Sequence, residues 1–271
     1  MDLLNGLYPY TKKLNFKTLY ETIEQLTLHC DKMKTDTRSV TMYLMGSTMG
    51  RTQSPMFLPK HSSKEKILPR PFVKSRPPSK LLEITNKFWF TCLIRLMEEV
   101  NMQHINKVIE TYKEEHYIKI KRSLTFAKKY IPKCLRVCNT FFTQVGILRN
   151  EDKVNEHRIN LHKDKGDIIS CILTLGRVEG IESGKGSTVY YNGKSKDNPG
   201  EKIYEVPFVN GQIQVTTFCN VVHGSNPFQQ HRYTLNANIK RNILIHFFVY
   251  GDQYHRQYMK SNYTREKFVA V

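Results

Sequence analysis

Two histidines and one aspartate stand in an order that could bind a transition metal. His162 and Asp164 form a His-x-Asp triplet, and His223 follows far downstream in Val221-Val222-His223-Gly224. Two imidazoles and one carboxylate form the facial triad that holds Fe(II) and leaves coordination positions open. The three residues therefore predict a metal centre with room for further ligands.

The triplet alone is weak evidence. The chain has ten histidines, so about 0.3 His-x-Asp triplets are expected by chance. Its context is more specific, because strand-like residues precede it at Arg158–Leu161 and follow it at Ile168–Leu175. Further strand patterns cover Gly186–Tyr191 and Gly211–Phe218, and His223 comes soon after the second. A double-stranded β-helix barrel, of jelly-roll or cupin type, would bring such distant strand ends together.

In this arrangement, Ile159–Gly176 and Gly211–Phe248 resemble the core of the Fe(II)- and 2-oxoglutarate-dependent dioxygenases. That superfamily includes prolyl hydroxylases, AlkB-type repair enzymes and TET/JBP base hydroxylases, and the block from His162 to Gly176 is similar to its nucleic-acid-modifying branch. The resemblance implies an α+β fold, with N-terminal helices bracing the barrel. It implies that His162, Asp164 and His223 bind Fe(II), that 2-oxoglutarate and O2 are co-substrates, and that a substrate C–H bond is hydroxylated.

The family also uses a basic residue to hold the far carboxylate of 2-oxoglutarate. A guanidinium suits this role because it stays charged and can pair with a carboxylate through two hydrogen bonds. In the family this residue lies either about nine or about fifteen to eighteen residues after the distal histidine, and the chain has an arginine at both spacings. Arg232 lies nine residues after His223, in the prolyl-hydroxylase pattern, and alternates with polar residues that suit a pocket. Arg241 lies eighteen residues after His223 and leads an apolar run to Phe248 that is predicted as a strand, so it is slightly favoured.

Two further co-substrate contacts follow from the resemblance. The hydroxyl of Tyr190 or Tyr191 could reach the same carboxylate, and Asn150 is similar in position to an AlkB-type asparagine upstream of the first ligand. One departure concerns the second arginine of AlkB enzymes, six residues after the first. The chain has Asn238 at that distance from Arg232, which counts against AlkB-type repair.

Each candidate also has a purely structural explanation. His162 and Asp164 could form a surface turn, His223 could be a hydrogen-bonded histidine near a strand end, and each arginine could be a solvated charge at a sheet edge. Their joint order, with strands between them, favours the dioxygenase site. His157 or His246 would replace a ligand only if the strand register differed.

The formal net charge of +18 and the pI near 9.6 indicate a polyanionic partner. Basic residues interleave with aromatic ones, which suits nucleic acid. DNA is therefore the expected partner, with contacts from Lys163, Lys165, Arg256 and Lys260. The expected reaction is hydroxylation of a nucleobase methyl group, as in TET/JBP oxidation of 5-methylcytosine or thymine, or AlkB-like demethylation. The alternatives are a prolyl/lysyl-type protein hydroxylase and a non-catalytic nucleic-acid-binding protein on a degenerate barrel.

Composition and patterning also predict how the 271 residues are organised. We expect a helical extension over 1–45, a basic Pro/Ser-rich linker over 46–80, and a dioxygenase domain over 81–271. The domain comprises a helical brace over 81–140, a β-helix core over 141–250 and a basic aromatic tail over 251–271. Six cysteines without metal-finger spacing, no secretory segment and no apolar run long enough for a membrane span predict an intracellular protein, nuclear if the source is eukaryotic.

Overall fold

The structure is a computed structural model. It describes residues 21, 23–24, 31–33, 41–49, 55–58, 87–150, 158–164, 166–176, 186–209, 211–216, 221–228 and 232–249. Three helices are α1 at Lys87–Tyr112, α2 at Glu115–Tyr130 and α3 at 241–249. The strands, in chain order, are β1 at Asp31–Met33, β2 at Thr41–Met49, β3 at Pro55–Leu58, β4 at Gln144–Asn150, β5 at Asp167–Gly176, β6 at Thr188–Tyr191, β7 at Lys202–Val206, β8 at Ile213–Thr216, β9 at Val222–Ser225 and β10 at Arg232–Lys240.

Seven of these strands form one antiparallel sheet, in the order β1-β2-β4-β10-β5-β8, with β3 paired to β2. β10 lies between β4 and β5, and its side chains alternate between the two faces of the sheet. One face is apolar and buried, and it carries Tyr233, Leu235, Ala237 and Ile239. The opposite face is polar, and it carries Arg232, Thr234, Asn236, Asn238 and Lys240.

The apolar face of this sheet packs against the helices. Met97 of α1, Leu124 of α2 and Phe247 of α3 belong to the same buried core as Leu235 of β10. An ion pair between Lys128 and Glu98, 3.0 Å long, joins α2 to α1. Burial of these apolar side chains supplies the main driving force for docking the helices on the sheet.

The second sheet has the order β7-β6-β9 and is also antiparallel. It lies over the polar face of the large sheet, because Tyr190 of β6 packs on Ile172 of β5 and donates its hydroxyl to Gln214 Oε1 of β8 at 3.3 Å. A cavity between the sheets is lined from both sides. The fold therefore separates an apolar layer under the helices from a polar interior between two sheets.

Several expectations are confirmed and others are wrong. The predicted strands over Ile168–Leu175, Gly186–Tyr191 and Gly211–Phe218 correspond to β5, β6 and β8. The predicted strand from Arg241 to Phe248 is wrong, because this run forms α3. Ile243 and Phe247, four residues apart, are buried on one side of the helix, whereas Ile245 is 47% exposed. Among the residues described, the strands form two separate hydrogen-bonded sheets. The α+β content agrees with the expectation, and closure into a double-stranded β-helix barrel stays a prediction.

The N-terminal part of the structure also differs from the organisation expected from the sequence. The linker expected over 46–80 overlaps the end of β2 and contains β3. β2 pairs with β4, and Tyr43 and Met45 are part of the core. The expected helical brace is present, although α1 begins at Lys87. Most of the helical extension expected over 1–45 lies outside the described residues, but Asp31–Met33 within it is a strand and β2 begins at Thr41. The domain boundaries remain a prediction.

Candidate metal centre

The three predicted ligands lie together at the cavity. His162 and Asp164 precede β5, and His223 lies in β9. One ligand atom from each can be chosen so that all three atoms lie within 4.8 Å of one another. His162 Nε2 is 3.5 Å from Asp164 Oδ1, and His223 Nε2 is 3.7 Å from Asp164 Oδ2. Sequence-distant residues are thus brought to metal-ligand spacing.

Backbone carbonyls orient both imidazole rings. His162 Nδ1 lies 2.7 Å from the Asn160 carbonyl oxygen, and His223 Nδ1 lies 3.1 Å from that of Val221. A carbonyl oxygen only accepts, so each Nδ1 is the donor and each neutral ring keeps a lone pair on Nε2. Metal-binding histidines commonly donate their other ring nitrogen in this way. The rings therefore present the nitrogens that a cation between them and Asp164 would need.

The centre is buried on one side and accessible on the other. His223 is buried, whereas His162 and Asp164 are half-buried. A β carbon at Gly224 would lie 2.6 Å from the Ile159 carbonyl oxygen, so glycine permits the segment 159–162 to approach β9. Two hydrophobic residues, Leu148 and Phe228, pack with Ile159 on the inner side. These residues fit a metal with three protein ligands and open positions toward the cavity.

Arg232 is a buried cation in the same cavity. It is 5% exposed, and its guanidinium lies 3.5 Å from the ring centroid of Phe228 and 5.2 Å from that of Phe208. Its Nη1 donates to the Gly186 carbonyl oxygen at 3.1 Å, and its Nε has no hydrogen-bond partner. Burial lowers the pKa of Arg232 to about 9. The side chain is therefore still charged at neutral pH, and no carboxylate among the described residues forms an ion pair with it.

Arg241, which the sequence slightly favoured, is placed differently. It is the first residue of α3, its side chain is exposed, and it does not line the cavity. The preference for Arg241 depended on a predicted strand, and this segment is a helix. We therefore expect Arg232 to bind the distal carboxylate, which stays a prediction. Gly186 makes room for that arginine, because a β carbon there would lie 2.5 Å from Arg232 Nη1.

The remaining predicted residues lie in different parts of the chain. Tyr190 is buried and stacked on His223, with ring centroids 6.3 Å apart, so it lies beside the triad. Asn150 is opposite Arg232 in the ladder between β4 and β10, and its side chain is not described. Lys163, which lies between His162 and Asp164 in the sequence, is half-buried. Three predicted nucleic-acid contacts lie outside the described residues, namely Lys165, Arg256 and Lys260.

Sequence reasoning missed several cavity residues. They are Gln144, Phe208, Gln214, Phe228 and Lys240. The alternation of polar residues on β10 was the one available signal. Lys240 contacts buried Asp167, with its Nζ 2.6 Å from Oδ1. Burial raises the pKa of Asp167 to about 6, and the ammonium of Lys240 opposes that rise.

No protein-family model and no curated protein matches this sequence. Solved structures with a similar arrangement include NgTET1 in complex with 5mC DNA, at 15% identity and a TM-score of 0.49, over 85% of this chain and 69% of that chain. Another is an oxidoreductase of the 2OG-Fe(II) oxygenase family from Burkholderia pseudomallei, at 12% identity and a TM-score of 0.38, over 82% and 81%. Among the described helices, none is long and apolar enough to cross a membrane.

Proposed function

We propose that this protein is an Fe(II)- and 2-oxoglutarate-dependent dioxygenase. The observation that carries the proposal is the presence, in one cavity, of the His162, Asp164 and His223 cluster and the buried guanidinium of Arg232, which forms no ion pair with any described residue and leaves its Nε without a hydrogen bond. The cluster is suited to an open-sided metal. The guanidinium is suited to a carboxylate, because a buried charge is costly unless it is paired.

Bound Fe(II) and 2-oxoglutarate would supply the oxidising chemistry, in which O2 and 2-oxoglutarate convert a substrate C–H group to C–OH and yield succinate and CO2. The chain's own residues hold and orient the reactants. The Asn160 and Val221 carbonyls accept from the histidine Nδ1 atoms, so that each neutral ring carries its lone pair on Nε2. Arg232 would pair with the distal carboxylate, while Phe208 and Phe228 exclude water from that pair. A desolvated ion pair is stronger than the same pair in water.

The favoured substrate is a methyl-bearing nucleobase in DNA. The net charge of +18 supports a polyanionic partner. Exposed Lys194 and Lys196 lie in the turn between β6 and β7, on the sheet that covers the cavity. Exposed basic residues of α2, such as Arg122 and Lys129, lie behind the large sheet. The lysines of the covering sheet are therefore better placed to contact phosphates next to a base in the cavity.

A second candidate is a prolyl/lysyl-type protein hydroxylase. It is favoured by one specific observation, namely that Arg232, at the short spacing from His223, lies in the cavity while Arg241 does not. One experiment separates the two candidates. Purified protein is incubated with Fe(II), 2-oxoglutarate and O2, with either methylated DNA oligonucleotides or a peptide pool. Mass spectrometry then reads succinate and the gain of one oxygen atom. Oxygenated DNA supports the first candidate, and oxygenated peptide supports the second. If neither product forms with any substrate, both candidates are contradicted.

A further inference from the structure

The guanidinium of Arg232 is held by contacts from outside its own sheet. Its Nη1 donates to the Gly186 carbonyl oxygen at 3.1 Å, and the rings of Phe228 and Phe208 lie against it. Arg232 belongs to the large sheet, whereas these three residues lie beside the strands of the sheet β7-β6-β9, which we name the covering sheet. The three contacts include no ion pair. The position of the guanidinium therefore depends on how these neighbours are held.

Three polar side chains join the strands of the covering sheet. Glu205 lies in β7, Ser187 comes directly before β6, and Asn226 comes directly after β9. Ser187 Oγ and Asn226 Nδ2 each donate to Glu205 Oε1 at 2.7 Å. Asn226 Nδ2 also lies 3.4 Å from Ser187 Oγ. We name these three residues the Glu205 network, in which one carboxylate oxygen connects all three strands.

Each member of the Glu205 network is close in sequence to one contact of the guanidinium. The pairs, in chain order, are Gly186 with Ser187, Glu205 with Phe208, and Asn226 with Phe228. Backbone bonds join two of these segments, because Asn226 N donates to the Ser187 carbonyl oxygen at 2.9 Å and Gly186 N donates to that of Pro227 at 3.2 Å. The network therefore fixes the Gly186 carbonyl and the Phe228 ring relative to each other.

The network lies on the face of the covering sheet that points away from the cavity. Thr188 lines the cavity, so Ser187 beside it lies on the opposite face, together with the carboxylate of Glu205 that it contacts. Ser187 is 1% exposed. Hydrogen bonds from Lys202 and Ser187 hold the pKa of Glu205 below its usual value. Glu205 is therefore ionised at neutral pH, and hydrogen bonds to a charged acceptor are stronger than neutral ones.

We infer that Glu205 is a positioning residue for co-substrate binding, because through Ser187 and Asn226 it holds the contacts that orient the guanidinium of Arg232. This inference rests on the proposed dioxygenase function. A guanidinium that is already oriented loses less side-chain freedom when it pairs with the distal carboxylate of 2-oxoglutarate. Without the network, Arg232 would have to be ordered by the ligand itself. The distal carboxylate would then add less to the affinity.

The test compares 2-oxoglutarate with 2-oxobutanoate, which has the same keto acid end but no distal carboxylate. Calorimetry on Fe(II)-loaded protein without O2 measures both dissociation constants, and their ratio reports the contribution of the distal carboxylate without turnover. Glu205→Ala removes the centre of the network, whereas Glu205→Gln keeps an oxygen that can accept. Ser187→Ala removes one hydrogen bond and serves if Glu205→Ala does not fold. Glu201→Ala, at an exposed glutamate next to β7, is the matched control.

We expect 2-oxoglutarate affinity to fall about tenfold in Glu205→Ala and about threefold in Ser187→Ala, as for the loss of one or two hydrogen bonds. Affinity for 2-oxobutanoate should not change. Glu205→Gln should keep most of the wild-type ratio, and Glu201→Ala should keep all of it.

An unchanged ratio in Glu205→Ala, or in Ser187→Ala if the first variant does not fold, would overturn the inference. An equal loss of affinity for both ligands would also overturn it, because it would show that the network only stabilises the covering sheet. Failure of the wild-type protein to bind 2-oxoglutarate would overturn the proposed function, and with it this inference.

Discussion

His162 and His223 exchange both of their backbone hydrogen bonds. His162 N donates to the His223 carbonyl oxygen at 2.9 Å, and His223 N donates to that of His162 at 3.0 Å. The two residues form an isolated antiparallel bridge, and their ring centroids are 4.3 Å apart. Backbone pairing thus sets the distance between the imidazoles before any metal binds. The spacing of the two histidine ligands is therefore set by β pairing of the backbone.

The first prediction concerns this cluster. His162→Ala, Asp164→Ala and His223→Ala should each lower substrate-stimulated succinate release by about 100-fold or more, because loss of even the residues that support metal ligands commonly costs about 10- to 100-fold. The fold should remain, since an open-sided metal is chiefly catalytic. Succinate is measured by mass spectrometry, with circular dichroism as the folding check. His116→Ala, an exposed histidine of α2, is the control. Full turnover in any triad variant would show that the substituted residue is not a required metal ligand.

The second prediction separates the two arginines. Arg232→Met should weaken 2-oxoglutarate binding by about 3 to 5 kcal/mol, the cost of leaving a buried charged partner unpaired. Arg241→Met should change it little, because Arg241 is exposed on α3. Calorimetry on metal-loaded protein measures both. Without ligand, Arg232→Met should be at least as stable as wild type, because it removes a buried charge that forms no ion pair within the part of the chain that the structure describes and whose Nε lacks a hydrogen bond. The reverse ranking of the two variants would return the role to Arg241.

The third prediction concerns Gly186. This glycine has φ of +74°, and a β carbon would lie 2.5 Å from Arg232 Nη1. Gly186→Ala should therefore displace the guanidinium, weaken 2-oxoglutarate binding and lower the free energy of unfolding by about 1 kcal/mol. Gly166→Ala is the matched control, because its β carbon would meet nothing within 4 Å. Equal effects of the two substitutions on 2-oxoglutarate affinity would show that Gly186 does not act through Arg232.

The fourth prediction concerns the ion pair of Asp167 and Lys240. Because burial raises the pKa of Asp167 to about 6, the folded protein holds this proton more tightly than the unfolded chain. The resulting stability is present below about pH 4 and is lost as the pH rises through about 6. Lys240→Met should raise this pKa further and leave a buried carboxylate unpaired at high pH. Its unfolding free energy should fall below that of wild type by about 2 kcal/mol at pH 8, and by much less at pH 4.5.

Urea unfolding at the two pH values measures this difference. Lys202→Met, which removes an exposed lysine from Glu205, is the control and should change little at either pH. A loss in Lys240→Met of the same size at pH 4.5 and pH 8 would indicate that Lys240 stabilises the fold by packing, and not through the charge of Asp167.

The fifth prediction concerns nucleic acid. DNA affinity should fall steeply with salt, with a slope of about 0.9 per phosphate neutralised on duplex. Deleting Gln253 to Val271 removes Arg256, Lys260, Arg265 and Lys267. The deletion should reduce the slope and weaken binding to all sequences alike, without changing 2-oxoglutarate affinity. Fluorescence anisotropy across a salt series measures both. Salt-insensitive binding would move the protein-hydroxylase candidate to first place.

The sequence by itself determined the parts that depend on local order. The strands β5, β6 and β8 follow from β-branched and apolar runs, and they flank the ligand residues as expected. His162, Asp164 and His223 were identifiable from residue type and order, and the structure brings them together. The polar alternation from Arg232 to Asn238 was also visible, because side chains of a strand alternate between its faces whatever they pack against.

Only the tertiary structure decided the rest. From Ile243 to Val249 the run is apolar except at His246, so its periodicity is compatible with both a strand and a buried helix. Packing of Ile243 and Phe247 against the core selects the helix and exposes Arg241. Likewise, the juxtaposition of Asn238 with Gln144 depends on the register between β10 and β4, which lie far apart in the chain. Contacts between such distant segments are set by burial in the assembled core, and no local pattern records them.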